Sequence, residues 1–402
     1  MPTTVWSNPC LSIIVLTNDV LLSFTKNVKK LSFFIDGNPI AVTNSYCYLG
    51  VQVSNTGSFV KAADNLYKKA LKSLFSIYSS LDVRSDVKNT RLFLKLFDSL
   101  VKPVLLYGCD IWGSTAINSN SITNKFVNKF YRTLLGVPRN TSTAGIHAEL
   151  GRFPINVSIQ QTMIRYWFRI ISLPRDRLAS HCYRSLYDLN HISDPWINAI
   201  KTTIKSTGQI FVWDSQEILS SLDYRYLSKY ENYICQTLSD VSSQVTVEKI
   251  SSEEKLSFFK NCKNTNQISN YLTTLGGRSK RSSFCKLRLG TLELELEKGR
   301  RNNIVRSERR CKICISQEVE NEVHFIFTCP TLAKQREPFL KKIAALTYNF
   351  SFMSLENKVR FLYFNENLPP NILEISADLL DTLIATRQYV LNSKQHVIST
   401  RN

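Results

Sequence analysis

The sequence predicts a mainly α-helical chain with a small β-hairpin near its N-terminus, an α+β arrangement that includes one small metal module. Three observations predict it. Apolar residues recur at helical spacing from about residue 59 onward. Strand patterning gathers at about residues 30–55. Four metal-ligating side chains crowd into residues 311–329.

The bulk properties bound the rest. At 402 residues the chain is long enough for two or three domains, and 43% hydrophobic residues allow large cores and argue against wholesale disorder. Lys and Arg number 51 against 32 Asp and Glu, a net charge of +19 that favours polyanions as partners. No apolar run reaches the roughly 20 residues needed to span a bilayer. Leu11 to Leu16 is apolar, but no Lys or Arg precedes it before Lys26, and Asn18 and Asp19 interrupt it, so it reads as a strand rather than a signal segment. Of ten cysteines, seven are scattered without paired spacing, which fits a reducing compartment, nuclear or cytoplasmic, and not secretion.

The elements follow in order. Residues 1–27 carry no further assignment. In 28–58, Leu31 to Ile35 forms one strand, Asp36-Gly37-Asn38-Pro39 supplies turn chemistry, and Tyr46 to Val53 forms the second strand of the hairpin. A helix over about 59–81 places Ala63, Leu66, Ala70, Leu74, Ile77 and Leu81 on one face and Lys61, Lys68 and Lys72 on the opposite one. That basic face is either an ordinary solvated surface or a stripe that tracks phosphates; Asp64 is its only acid, which favours the stripe. The next helix, about 86–101, sets Leu92, Phe93, Leu96, Phe97 and Leu100 against Arg91, Lys95, Asp98 and Lys102, with a kink or break at Pro103. A third, about 121–135, stops at Gly136 and Pro138. Residues 150–275 are helical but less regular, with Trp167, Trp196 and Trp213 as core anchors. Residues 276–283 read as a linker by composition, opening a basic segment: residues 278–312 hold twelve Lys or Arg and four Glu, 12 − 4 = +8. Helical periodicity resumes after Pro330, with a loop around 365–371.

The chemistry-bearing residues are Cys311, Cys314, His324 and Cys329, a C-x2-C-x9-H-x4-C array. Two thiolates two residues apart reach one ion, and the His-x4-Cys step closes a tetrahedron from the far side, so the expected cofactor is structural zinc. The nine residues between the ligand pairs leave room for a helix or hairpin. Arg300, Arg301, Arg306, Arg309, Arg310 and Lys312 would grip phosphates beside Phe325 and Phe327, whose rings would stack unpaired bases. Rival chemistries fit less well. His147-Ala148-Glu149 with Cys311 and Cys314 lacks the Pro-Cys step of a zinc deaminase, and the local ligands leave no open position for water. Gly276-Gly277 lacks the Lys-Ser/Thr step of a phosphate loop, and no serine elbow is present. Adjacent His181 and Cys182 are no sign of a dyad, whose partners meet in space.

Several stretches resemble one family. Tyr48-Leu49-Gly50-Val51 resembles the motif after the palm in reverse transcriptases of LINE-type, non-LTR retrotransposons. Phe97 to Gly113 and Phe130 to Thr141 are similar to the region that follows it, and Arg288 to Cys329 to the family's C-terminal zinc-knuckle segment. The resemblance spans roughly residues 28–345, with its motifs in the family's order. It implies that Tyr48, Leu49 and Gly50 belong to a primer grip, residues 59–149 to a helical thumb, and 150–275 to a helical C-terminal domain. A basic zinc-knuckle module at 276–345 and a helical segment at 346–402 complete the chain. The family's polymerases need an aromatic-x-Asp-Asp turn and an upstream Asp to hold catalytic metal ions. This sequence has no Asp-Asp pair, and fewer than 50 residues precede Tyr48. The expectation is therefore a remnant that binds RNA or RNA–DNA, with RNA or DNA as partner, without a catalytic metal, a membrane or a small-molecule substrate. The alternatives are the C-terminal portion of a longer, active RNA-directed DNA polymerase, and a helical protein-interaction scaffold with a structural zinc.

Overall fold

The computed structural model describes residues 13–17, 20–23, 33–35, 38–80, 90–188, 194–260 and 266–399. Helices dominate, with small sheets near the N-terminus, as the periodicities predict. The chain divides into two compact units. One comprises Met1–Ile77, Leu96–Val127 and Pro154–Val241, the other Tyr78–Lys95, Asn128–Phe153 and Ser242–Asn402.

In the first unit, strands β1 (Ile13–Thr17), β2 (Val20–Ser23), β3 (Phe33–Ile35) and β4 (Asn38–Thr43) form a sheet of order β1-β2-β4-β3. Strands β5 (Ser45–Tyr48) and β6 (Val51–Ser54) make a separate antiparallel hairpin. The single strand expected over Tyr46 to Val53 is thus two strands, and β3 pairs with β4 instead. Leu49 (φ 46°) and Gly50 (φ 86°) reverse the chain between them. A hairpin turn with both central residues at positive φ normally carries Asn-Gly or Asp-Gly, so Leu-Gly hides it. The Tyr107 hydroxyl donates to the Leu49 carbonyl (2.9 Å), and a Cβ on Gly50 would meet the Tyr107 ring at 3.3 Å, which pins this turn.

The helix Val60–Ser80 buries Ala63, Leu66, Ala70, Leu74 and Ile77 and exposes Lys61, Lys68 and Lys72; Leu81 lies outside the described residues. The following helix is interrupted. Thr90–Leu96 is α, Phe97–Val101 is a π turn, and Lys102–Leu105 is α again. Pro103 brings no N–H, and its ring crowds the carbonyl four residues back; the wider turn relieves both. It also rotates the apolar face, so Leu100 (51% exposed) lies outside while Phe97 and Val101 are buried. Trp167 and Trp213 stack at 5.8 Å in the core of this unit. The Trp167 indole N–H donates to the Tyr183 hydroxyl (2.8 Å), which donates to Gln216 (2.6 Å). Half-buried Trp196 donates to the Asp110 carbonyl at 2.6 Å, so all three tryptophans act as anchors.

In the second unit the stretch expected as a linker is helix. Arg278–Arg288 begins after Gly277 (φ 73°) and buries Phe284, Cys285 and Leu287 together with Arg281 and Arg288. Reading arginine as surface-seeking concealed that face. Arg288 is paired with Glu149 (2.6 Å) and Glu366 (2.5 Å), donates to the Tyr363 carbonyl (2.8 Å), and lies 5.2–5.6 Å from the rings of Tyr271, Phe259 and Phe364. A buried guanidinium is tolerated when its donors find carboxylates, as here. The helices Ala333–Leu346 and Leu355–Phe364 each pack on Pro370–Ser399, and Arg278–Arg288 packs on the last two. Among the described residues no helix is long and apolar enough to cross a membrane.

Candidate metal centre

The short segment around the array folds back on itself. Arg310 bridges Val319, Cys311 N–H donates to the Glu318 carbonyl (2.9 Å), and Glu320 N–H donates to the Arg309 carbonyl (3.0 Å). Gln317 (φ 58°) takes the left-handed position in the turn. A hairpin therefore fills the interval between the ligand pairs. A π turn over His324–Thr328 follows, and the Cys329 N–H donates back to the His324 carbonyl (2.8 Å). These two local reversals bring the four ligands together.

The ligand atoms of Cys311, Cys314, His324 and Cys329 all lie within 4.8 Å of one another, so the four residues could hold a metal ion. A tetrahedral ion with metal–sulfur bonds of about 2.3 Å spans ligand edges of about 3.8 Å, which this spread accommodates with small adjustments. His324 Nε2 faces the Cys314 sulfur at 3.5 Å, while Nδ1 lies 2.6 Å from a Glu318 carboxylate oxygen. Thr328 Oγ1 donates to the same carboxylate at 3.2 Å. A carboxylate on Nδ1 fixes the ring's orientation and leaves Nε2 as the lone-pair donor, the arrangement found behind metal-bound histidines.

The titration behaviour agrees. Groups this close avoid repulsion, without an ion, only by sharing protons. The Cys311 thiol is pushed up to about 12, first by its hydrogen bond to Cys329 and then by burial. That same bond holds the Cys329 thiol below its ordinary value. Burial works against a charged His324 ring, but Cys311, Glu318 and Cys314 outweigh it and raise the imidazole to about 9. An ion entering such a set displaces protons, so metal affinity falls as pH falls.

Behind the cluster stands a second layer that the sequence reading missed. Buried Glu320 accepts two bonds from Arg387 (both 2.7 Å) and one from the Glu295 N–H (2.7 Å), with one carboxylate oxygen 3.6 Å from the Cys311 sulfur. Lys312 pairs with Glu295 (2.8 Å), and Lys394 donates to the Lys312 carbonyl (2.8 Å). Arg387 is 67 residues from Glu320, so no local pattern could reveal the pair.

The residues expected to touch nucleic acid fall into three groups. Tyr48, Leu49 and Gly50 form the exposed β5–β6 turn, and Lys61, Lys68 and Lys72 lie on an exposed helix face, where Lys68 pairs with Asp64 (2.6 Å). The basic approach to the array is internally braced. Arg300 pairs with Glu297, Arg301 with Glu293 (2.6 Å), and Arg306 with Glu254 (3.4 Å). Arg310 donates to Gln317 (2.8 Å), and Arg309 donates to the Ile304 carbonyl (2.9 Å). Arg309 also lies across Gly299, where a Cβ would meet its Cγ at 2.4 Å. Phe325 is 1% exposed and belongs to the core, which removes it as a stacking platform; Phe327 remains half-buried. His147 and Glu149 are occupied elsewhere. His147 is bonded to Asn128 (2.9 Å) and the Arg152 carbonyl (3.1 Å), and Glu149 to Arg288.

No family model, characterised protein or solved structure matches the chain.

Proposed function

We propose that this chain is a zinc-pinned nucleic-acid-binding protein, similar in kind to the thumb and zinc-knuckle region of a LINE-type reverse transcriptase. The Cys3His cluster, with His324 already oriented by Glu318, is the observation that carries the reading. Three thiolates and one imidazole suit zinc, and Cys311, Cys314, His324 and Cys329 would fill all four positions. With no position left for water or substrate, the ion would be structural. It would cross-link the hairpin at 309–320 to the π turn at His324–Thr328.

The nucleic-acid part of the proposal draws on charge and its placement. The net charge is +19, and the exposed face of Val60–Ser80 carries Lys61, Lys68, Lys69 and Lys72. The braced arginines add to it, because surface ion pairs are worth little and can exchange a carboxylate for a phosphate. Arg301 and Arg306 form pairs of this exposed kind.

The test is fluorescence anisotropy of labelled single-stranded RNA with the zinc-loaded chain over a series of salt concentrations. Binding should be tight at low salt and fall steeply as salt rises, because each neutralised phosphate releases a counterion. Absence of binding at low salt, or binding indifferent to salt, contradicts the proposal.

A further inference from the structure

A groove of about 560 Å³ opens beside the knuckle, between the His324–Thr328 turn, the Ala333–Leu346 helix and the Phe350–Phe352 turn. Its size falls within the range of small-molecule sites, about 300–1,000 Å³. Phe327 forms one wall and Phe350 the other, with Leu340 and Ala344 as an apolar floor.

One lining residue is unlike the braced arginines. Arg336 is 5% exposed, and of its donors Nη1 reaches the Ile326 carbonyl at 3.3 Å while Nε has no acceptor. Among the described residues no carboxylate pairs with it. Of the described residues, the Cys329 sulfur is the one negative neighbour that favours its charge; a buried guanidinium without a carboxylate partner is costly, and an incoming anion lowers that cost. Lys358 adds a second cation, its Nζ 5.4 Å from the Phe350 ring centroid and 3.4 Å from the Ser351 carbonyl. The groove's carboxylate, Glu337, is held by Lys341 at 2.7 Å. Arg336, Lys341 and Lys358 against Glu337 give 3 − 1 = +2. Two residues to either side of Phe350 in sequence, Tyr348 (90% exposed) and Phe352 (83% exposed) are left bare.

We propose that this groove binds one unpaired nucleotide of a single-stranded RNA, its base laid against Phe327 and its phosphate on the Arg336 guanidinium and Lys358 Nζ. A free phosphate would satisfy the cations but leave the aromatic wall and apolar floor in water. A nucleotide covers both, since every base offers a face for stacking. Phe327 and Thr328 lie between the ligands His324 and Cys329, and Thr328 is bonded to Glu318, so the metal loop is itself one wall. Metal loading and nucleotide binding are therefore coupled. The proposal deepens the nucleic-acid reading above and rests on it for the choice of RNA.

The test uses the zinc-loaded full chain and labelled oligouridine. Uridine monophosphate, uridine, inorganic phosphate and phenyl phosphate serve as competitors, and direct calorimetry follows uridine monophosphate. The monophosphate should compete, and uridine and phosphate each about tenfold less well. Phe327→Leu keeps the packing but removes the ring, and should weaken the monophosphate about tenfold, with Phe327→Tyr restoring it. Arg336→Gln should weaken it by a similar factor, with zinc content per chain unchanged as the check on folding. If RNA binds but the monophosphate does not compete and Phe327→Leu changes nothing, the groove proposal is overturned while the nucleic-acid reading stands. If the monophosphate binds with the stated variant pattern but RNA does not, the groove stands and that reading falls. Phenyl phosphate competing as well as the monophosphate overturns the assignment to a nucleotide.

Discussion

Arg387 and Arg336 sit beside the same Cys3His cluster, almost equally buried, and meet opposite surroundings. Arg387 is 6% exposed and lies between Glu320, with two bonds of 2.7 Å, and Glu295 at 3.5 Å. Arg336 is 5% exposed and has a single carbonyl at 3.3 Å. Burial alone therefore does not tell what a guanidinium is for; its partners do. A saturated arginine ties two parts of a fold together, whereas an under-saturated one facing a groove is poised for an outside anion.

The largest effect expected concerns the knuckle that both arginines flank. Cys329→Ser should abolish stoichiometric zinc, removing most of a binding free energy that is on the order of 10 kcal/mol in small zinc modules. Mass spectrometry of the native protein and a thermal melt check it, and a variant that keeps one zinc per chain contradicts the ligand set. The two arginines separate next. Arg387→Met leaves Glu320 buried without its counter-charge and should cost roughly 3–5 kcal/mol in urea unfolding. Arg336→Met removes a charge that no carboxylate balances and should lower stability by no more than about 1 kcal/mol. Equal losses at the two positions would erase the distinction drawn between them.

A pH effect of intermediate size comes from a third buried cation-forming group. His147 is held down to about 4 first by burial, against backbone hydrogen bonds that raise it and with smaller lowering contributions from Arg132 and Lys249. Between pH 6.5 and that value the unfolded chain binds the proton and the folded one does not. The folded state thus has its full advantage above pH 6.5 and loses it as pH falls toward 4, by roughly 3 kcal/mol in all. Denaturant titrations across this range on the chain and on His147→Gln should show a slope in the first that is shallower in the second. The smallest effect belongs to the exposed lysines. Replacing Lys61, Lys68 and Lys72 by Gln should leave stability within about 0.5 kcal/mol and reduce the salt slope of RNA binding by about two. An unchanged slope would mean that this face is only solvated.

The contrast also explains what could be read in the sequence. The helix Val60–Ser80 was legible because Ala63, Leu66, Ala70, Leu74 and Ile77 repeat at its period and bury together. The Cys3His array was legible because its ligands are close in sequence and chemically distinctive. The β5–β6 reversal was not, since Leu49 stands where Asn or Asp would announce it. The Arg278–Arg288 helix was not, because its inward face contains Arg281 and Arg288, and the partners that permit this, Glu149 and Glu366, lie 139 and 78 residues from Arg288. Glu318 escaped notice although it is six residues from His324, as a lone glutamate carries no signal until the hairpin turns it onto Nδ1. Buried charge is the common blind spot: pattern reading assigns charge to the surface, and only tertiary partners overrule it.

The proposed role of the Cys3His cluster is to organise nucleic-acid binding through a bound metal. Its most direct test follows the affinity of the full chain for single-stranded RNA while the metal is removed by a chelator and then restored as zinc. Affinity should fall about tenfold or more on removal and return when zinc is added back, in step with one zinc bound per chain. Affinity that stays constant through removal and restoration would contradict it.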